Sequence, residues 1–192
     1  ILGVIPAHMA SVRFPNKILF DILGLPMVEH VRRRALLSNE LDDVVVATCD
    51  AEIANVIESY GGKVVMTSNT HKNGTSRAGE VVRHYDCSHV LVLQGDEPLL
   101  LPSHIDDMVK SMKQHPNKNA WNATGSISSE DELNLHSFVK CAVANDGQIC
   151  VGKSSDEWLQ GTPRFFQISS HSRQEHSIAR SRRESPLRST NP

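Results

Sequence analysis

The sequence lacks the features that mark membrane, secreted and disulfide-rich proteins. No apolar run approaches the roughly 20 residues needed to cross a bilayer, and the first residues carry no basic-then-apolar signal segment. The four cysteines have no paired metal spacing, which favours reduced, structural thiols in a cytoplasmic protein. A net charge of -2 argues against general nucleic-acid binding and gives no membrane signal. With 39% hydrophobic and 22% charged residues, the chain fits a globular protein.

The loop after the first strand lacks the two commonest nucleotide-binding signatures. This loop does not end in Gly-Lys-Ser or Gly-Lys-Thr, and it does not carry the three-glycine dinucleotide fingerprint. The ten histidines include no i, i+4 pair with an acidic neighbour as in zinc hydrolases, so scattered surface histidines are the preferred interpretation. A nucleotide site at the loop after the first strand therefore needs a different pattern of residues.

Strand-like and helix-like segments alternate along the first half of the chain. Continuous apolar, β-branched runs are typical of strands buried in a parallel sheet, and they occur at residues 1–5, 44–49, 63–66 and 89–93. Apolar residues at helical spacing predict helices at residues 26–36, 51–60, 76–84 and 102–114. The alternation predicts an α/β fold with a mostly parallel, doubly wound sheet and helices on both faces.

Further predictions concern the connections and the C-terminal part. Asp50 is predicted to cap the helix that follows the second strand, and residues 18–24 to be extended up to a turn. The run Arg32-Arg33-Arg34 is predicted to be a solvated helix face, with Leu36 on the apolar side. Residues 120–128 are predicted to be extended, and residues 131–135 to form a short capped helical turn. An Asp-Gly turn predicts a β-hairpin between residues 138–144 and 148–151.

A change in composition near residue 152 divides the chain into two predicted units. Residues 1–151 are predicted to form one nucleotide-binding domain. Residues 152–192, rich in serine and arginine and poor in apolar residues, are predicted to be a poorly ordered basic tail. Contact of this tail with nucleic acid or anionic lipid is the alternative.

The loop after the first strand carries the first candidate site. It offers a hydroxyl and two cations at Ser11, Arg13 and Lys17. Backbone amides of such a loop, with the cations behind them, form a site for a polyanion. Because the loop follows the carboxyl end of a strand, it lies where open α/β sheets place their ligands.

Two later segments carry the other candidate residues. Asn73-Gly74-Thr75-Ser76 offers amides and hydroxyls at a helix start, although a capped loop explains it equally well. Gln94-Gly95-Asp96-Glu97-Pro98 follows the fourth strand, where a carboxylate faces the ligand crevice and a triphosphate needs Mg²⁺. Asp96 is the predicted metal ligand, and Glu97 is predicted to orient rather than to catalyse. Turn chemistry alone hardly explains this string.

Together these segments resemble the sugar nucleotidyltransferases, and within them the family of 3-deoxy-manno-octulosonate (Kdo) cytidylyltransferases. That family opens with Pro-Ala-Arg and Ser-Thr-Arg-x-Pro-Gly-Lys, which match Pro6, Ala7, Ser11, Arg13, Pro15 and Lys17. Its His-x-x-Gly-Thr-x-Arg segment matches His71, Gly74, Thr75 and Arg77. Three positions depart from the pattern, where His8, Val12 and Asn16 replace arginine, threonine and glycine. Histidine is fully charged only below a pH of about 6.5, so a weaker grip on triphosphate is expected at His8.

The resemblance implies a function and a set of site residues. It implies transfer of CMP from CTP to the anomeric hydroxyl of Kdo, an acidic sugar, with release of pyrophosphate, in lipopolysaccharide biosynthesis. It implies a cytoplasmic homodimer with Mg²⁺ as cofactor. The catalytic residues that it implies are Lys17, Arg13 and Asp96, with Asp96 as the metal ligand. The nucleotide-binding residues that it implies are Ala7, His8, Ser11, Lys17, His71, Gly74, Thr75, Arg77 and Gln94.

The resemblance covers residues 4–151, and beyond them the chain diverges from the family. The family's later His-x-Gly-x-Tyr segment and its Asp-Thr-Pro-Glu-Asp segment, which carries a second metal carboxylate, do not occur in this sequence. Two alternatives therefore stay open. One is a nucleotide-binding remnant without turnover, and the other is an enzyme for a different acidic sugar, such as 8-amino-Kdo or a neuraminate-type acid.

Overall fold

The structure, a computed structural model, describes residues 1–10, 14–124, 129, 140–143 and 149–152. The strands are β1 (Leu2–Pro6), β2 (Asp21–Ile22), β3 (Leu25–Pro26), β4 (Asp43–Thr48), β5 (Lys63–Met66), β6 (Val90–Val92), β7 (Lys140–Val143) and β8 (Ile149–Gly152). The α-helices are α1 (Met27–Ala35), α2 (Ala51–Ser59), α3 (Gly74–Val81) and α4 (Pro102–Gln114). Two 3-10 turns lie at Lys17–Leu19 and Val82–His84. None of the helices in the described residues has the length and apolar character needed to cross a bilayer.

The central sheet has four parallel strands in the order β5-β4-β1-β6. The chain moves outward from β1 through β4 to β5 and then returns to the other side of β1 for β6. Val4 in the middle of β1 pairs with Val45 on one side and Val92 on the other. The reversal of direction places a crevice at the carboxyl ends of β1 and β6, which is where doubly wound sheets bind ligands.

Side chains of the sheet alternate between two apolar clusters, one on each face. Val44 and Val46 of β4 pack in a cluster with buried residues of α1, α2 and α4. Val45 and Ala47 of the same strand pack with buried residues of α3 on the opposite face. Because both faces are covered, every strand position needs an apolar side chain, which explains the continuous β-branched runs. The predicted doubly wound α/β fold is confirmed.

Two local predictions in the first helical unit are wrong. Arg32 is not solvated but only 7% exposed, because its guanidinium donates to both oxygens of the fully buried Glu29 carboxylate at 2.7 and 2.8 Å. Leu36, predicted to be apolar core, is 52% exposed just after the end of α1. The ion pair with Glu29 neutralises the buried charge of Arg32, which the sequence alone predicted to be solvated.

The segment before α1 also differs from the prediction. In place of one extended segment, residues 17–19 form a 3-10 turn and β2 and β3 form a short antiparallel ladder. Its turn lies at the predicted position, with left-handed φ values of 51° at Leu23 and 85° at Gly24. Pro26, predicted in the first helical turn, takes the N-cap position instead.

The predicted hairpin is confirmed in its strands, since β7 and β8 pair antiparallel. Its turn, the predicted helical turn at residues 131–135 and the tail beyond residue 152 lie outside the described residues. Residues 121–124, predicted to be extended together with their neighbours, have no regular secondary structure.

Candidate nucleotide-binding site

Pro6, the last residue of β1, is the point where the three candidate segments meet. A Cβ built on Gly95 would lie 3.0 Å from the Pro6 carbonyl oxygen and 2.9 Å from Ile18 Cδ1. A Cβ built on Gly74 would lie 2.8 Å from Pro6 Cγ. Glycine is therefore needed at both positions for close approach, and the segments after β1, before α3 and after β6 come together at one edge of the sheet.

Lys17 and Asp96 form an ion pair across this edge. Lys17 begins the 3-10 turn that the buried Ile18 anchors, and Asp96 follows Gly95 in the loop after β6. The two side chains are 31% and 37% exposed, so both remain accessible to a ligand. An ammonium group and a carboxylate side by side provide one contact for a phosphate oxygen and one for a divalent cation.

The loop after β1 is tied to the end of β4. The amide of Ala7 donates to the Ala47 carbonyl at 2.9 Å, which extends the β1–β4 ladder by one residue. His8 Nδ1 lies 2.9 Å from Asp50 Oδ2, and the amide of Met9 donates to the same oxygen at 2.8 Å. The predicted capping role of Asp50 is therefore wrong. Asp50 occupies the N-cap position of α2, but its carboxylate makes no capping hydrogen bond and contacts the loop after β1 instead.

The contacts of Asp50 also favour its charged form. Partial burial works to raise the pKa of Asp50, but hydrogen bonds from Met9 and His8 outweigh it and hold that pKa below its ordinary value. The carboxylate of Asp50 is therefore ionised at neutral pH and holds the loop after β1 in place. His8 is half-exposed beside it, so the histidine that replaces the family's arginine already has an anionic partner.

The segment at the start of α3 is held by its own polar contacts. Asn73 caps the helix by accepting from the Ser76 amide at 2.8 Å, as the capped-loop interpretation predicts. Gly74 and Thr75 follow this cap. Nε2 of His71 pairs with the carboxylate of Glu80. This contact, followed by the hydrogen bond from the Ser68 amide, lowers the pKa of Glu80.

Arg77 is turned inward. It is 3% exposed, and its guanidinium donates to Thr67 Oγ1, to the Ser68 carbonyl at 3.4 Å and to Cys49 Sγ at 3.5 Å. It therefore fastens α3 to the ends of β4 and β5 in this structure. Its predicted contact with nucleotide stays a prediction.

The remaining predicted residues divide into two groups. Gln94 is half-buried, and its carbonyl accepts from the Glu97 amide at 3.2 Å, which closes the turn that presents Asp96. Ser11 and Arg13 lie outside the described residues. Sequence reasoning missed four polar residues that position the site, namely Cys49, Asp50, Thr67 and Glu80. Their side chains contact partners that lie between 9 and 42 residues away along the chain, so no short motif signals them.

A groove elsewhere on the molecule is a poor candidate for the nucleotide. It has a volume of about 350 Å³ and lies beside β6 between α3 and α4, with Met108, Met112 and Trp121 in its lining. Among the predicted site residues that the structure describes, Thr75 alone lines it. The described residues of its lining include no lysine or arginine, whereas the carboxyl edge of the sheet has Lys17.

The fold and the edge define a class of protein. A doubly wound parallel sheet with a lysine and an aspartate at its switch point is an α/β domain of the kind that binds ligands at this edge. The chain belongs to the cytidylyltransferase family, whose model matches residues 2–187.

Curated relatives agree with the family model. The chain is 42% identical over 150 residues to a 3-deoxy-manno-octulosonate cytidylyltransferase of Zea mays, an alignment that covers 76% of this chain and 49% of the relative. It is 36% identical over 167 residues to an 8-amino-3,8-dideoxy-manno-octulosonate cytidylyltransferase of Shewanella piezotolerans, which covers 81% of this chain and 68% of the relative.

A solved structure agrees as well. It is a CMP:2-keto-3-deoxy-manno-octonic acid synthetase complexed with CTP, with a TM-score of 0.71 and 33% identity over 80% of this chain and 64% of that one. The predicted family resemblance is confirmed. The chain nevertheless spans about half the length of the first curated relatives that it matches.

Proposed function

We propose that this chain binds CTP with Mg²⁺ and transfers CMP to the anomeric hydroxyl of Kdo, releasing pyrophosphate. The observation that carries the proposal is the Lys17–Asp96 pair at the switch point, held there by the close approach of Gly95 to Pro6. Two relatives are named for transfer of a cytidylyl group to an octulosonate, and the similar solved structure contains CTP. Cytoplasmic location and a homodimer belong to the same proposal, by resemblance to the family.

The residues at the edge suit Mg²⁺. This ion is commonly bound by one or two carboxylates together with phosphate oxygens, and Asp96 supplies a partly exposed carboxylate at the place where the phosphates would lie. When bound, the ion neutralises phosphate charge and favours departure of pyrophosphate. Thiol and imidazole ligands, which suit other metals, do not contact Asp96 among the described hydrogen bonds and ion pairs.

The chain's own residues account for binding and charge stabilisation. In the proposed reaction the sugar hydroxyl loses its proton to solvent and its oxygen bonds to the α-phosphorus. The bond from that phosphorus to the bridging oxygen breaks, and pyrophosphate leaves. Lys17 exchanges its contact with Asp96 for a phosphate oxygen and stabilises the charge that develops on the phosphates. Arg13 is proposed to act beside it. Catalysis of this type depends mainly on positioning and charge neutralisation.

The nucleoside is proposed to lie toward α3. The capped start of α3 approaches Pro6 at the end of β1, and amides at a helix start suit oxygen acceptors. Thr75 and Gln94 are proposed to contact ribose or base, with His71 and Arg77 shaping the pocket. His8 and Ser11 are proposed to contact the triphosphate.

The sugar is the open part of the proposal. The alignment covers 68% of the relative that is named for the 8-amino sugar, which is more than it covers of the Zea mays relative. We therefore favour 8-amino-Kdo as the alternative acceptor. A neuraminate-type acid remains a further alternative acceptor. Because the chain spans about half of its other relatives, a nucleotide-binding remnant without turnover is the second candidate function.

Pyrophosphate release from CTP and Mg²⁺ tests the proposal, with Kdo, 8-amino-Kdo or no sugar added. Asp96→Asn is the test variant, and Asp43→Asn is its matched control because Asp43 also pairs with a lysine, Lys63, at the opposite edge of the sheet. Kdo-dependent release that is lost in Asp96→Asn and kept in Asp43→Asn supports the proposal. CTP binding without release with any sugar contradicts it and supports the remnant.

A further inference from the structure

We infer that His8, Cys49 and Asp50 form a second metal site, which takes a divalent transition-metal ion of the zinc type. The three residues meet where the ends of β1 and β4 run side by side. Their ligand atoms, Nδ1, Sγ and a carboxylate oxygen, all lie within 4.8 Å of one another. The inference stands whether or not the chain transfers CMP.

The distances between these atoms suit a single ion. In a tetrahedral zinc site, bonds of about 2.0–2.3 Å place a nitrogen and a sulfur ligand about 3.6 Å apart and a nitrogen and an oxygen about 3.4 Å apart. His8 Nδ1 lies 3.6 Å from Cys49 Sγ and 2.9 Å from Asp50 Oδ2. An ion that replaces the proton between His8 and Asp50 needs the second distance to lengthen by about half an ångström, which a half-exposed histidine allows.

The neighbours of the cluster hold the ligands in place. Arg77 Nη2 donates to Cys49 Sγ at 3.5 Å, which holds the sulfur at the end of β4. The Met9 amide donates to Asp50 Oδ2 at 2.8 Å and fixes the carboxylate. Such outer contacts orient metal ligands and tune their affinity.

The donor set discriminates between metals. Thiolate and imidazole select zinc and related ions, whereas Mg²⁺ prefers oxygen ligands and suits Asp96. The cluster is accessible, because the His8 side chain is 46% exposed. Three protein ligands leave a fourth position for water or another small ligand. A bound ion would link the loop after β1 to the end of β4.

Cobalt titration of the 192-residue chain, kept reduced and free of other metals, tests the inference. We expect one Co²⁺ per chain with a thiolate-to-cobalt charge-transfer band, displaced by Zn²⁺ and unaffected by excess Mg²⁺. Cys49→Ser is expected to remove the band, and His8→Ala and Asp50→Asn to weaken binding at least as much as loss of an outer contact does, about 10–100-fold.

Cys87→Ser is the matched control, because Cys87 is also a free, half-buried thiol but lies outside the cluster. It is expected to keep the band, and circular dichroism of the metal-free variants is expected to match that of the parent chain. A parent chain without the band, or a Cys49→Ser variant that retains it while folded, would overturn the inference.

Discussion

Replacing Gly95 by alanine is expected to damage both stability and nucleotide binding. The added Cβ would lie 3.0 Å from the Pro6 carbonyl oxygen, which is backbone of the central strand, and 2.9 Å from Ile18 Cδ1. The side chain of Ile18 can turn aside, but the backbone of Pro6 is held by its pairing with Ala47 of β4. The loop that carries Asp96 must therefore move away from β1.

The size of the effect follows from overpacking. Extra methyl groups in a tightly packed region typically cost about 1–3 kcal/mol. For a chain of this size each kcal/mol lowers the melting temperature by about 2–4 °C. Displacement of Asp96 relative to Lys17 is expected to weaken Mg²⁺-dependent CTP binding by about tenfold or more, since small misplacements at such sites are costly.

Gly79→Ala is the matched control. Gly79 lies inside α3, and a Cβ built on it meets no atom within 4 Å. Alanine at an exposed helical position is expected to stabilise by about 0.5–1 kcal/mol rather than to destabilise. Thermal unfolding and calorimetric CTP titration of both variants measure the difference. Equal stability and equal CTP affinity in the Gly95→Ala and parent chains would refute the close approach as the reason for glycine.

Three further predictions concern charged residues. Glu29→Gln removes the buried counter-charge of Arg32 and is expected to lower the free energy of unfolding, measured with urea, by about 3 kcal/mol. Arg33→Gln, at the exposed end of the same ion-pair network, is expected to lower it by less than about 1 kcal/mol. Equal losses in the two variants would contradict this prediction. His8→Arg places a permanent cation beside the proposed phosphates and is expected to tighten CTP binding several-fold at pH 8 in calorimetry, and weaker binding would contradict it. The Ser38 hydroxyl holds the pKa of Asp106 below its ordinary value, so the ionised carboxylate stabilises the fold above about pH 4 and this contribution is lost as the pH falls further. Asp106→Asn is therefore expected to be less stable than the parent at pH 7, with a gap that closes in acid unfolding curves; a constant gap would contradict it.

The sheet could be predicted because its chemistry is local. Each buried strand needs apolar residues on both faces, so runs such as residues 44–48 signal a parallel sheet directly. The carboxyl ends of the strands then place Lys17 and Asp96 at one edge without any knowledge of contacts. The ion pair between them confirms that the two segments meet.

The contacts around the edge could not be predicted from the sequence in the same way. Asp50 has an ordinary capping position, and only its distance to the β1 loop in space shows why its carboxylate turns away from the helix. Cys49 and His8 are 41 residues apart, so they form no short metal-binding motif that the sequence could reveal. The burial of Arg32 did have a local signal, because Glu29 lies three residues before it on the same helix face.

Binding of CTP at the Lys17–Asp96 edge is the central claim, and one calorimetric comparison tests it directly. Lys17→Ala is set against Lys63→Ala, because both lysines pair with an aspartate but Lys63 lies at the opposite edge of the sheet. A charged hydrogen bond is worth about 1.5–3 kcal/mol, so Lys17→Ala is expected to weaken CTP binding about 10–100-fold, while Lys63→Ala leaves it unchanged. Equal CTP affinity in the two variants, or no binding by the parent chain, would contradict the account.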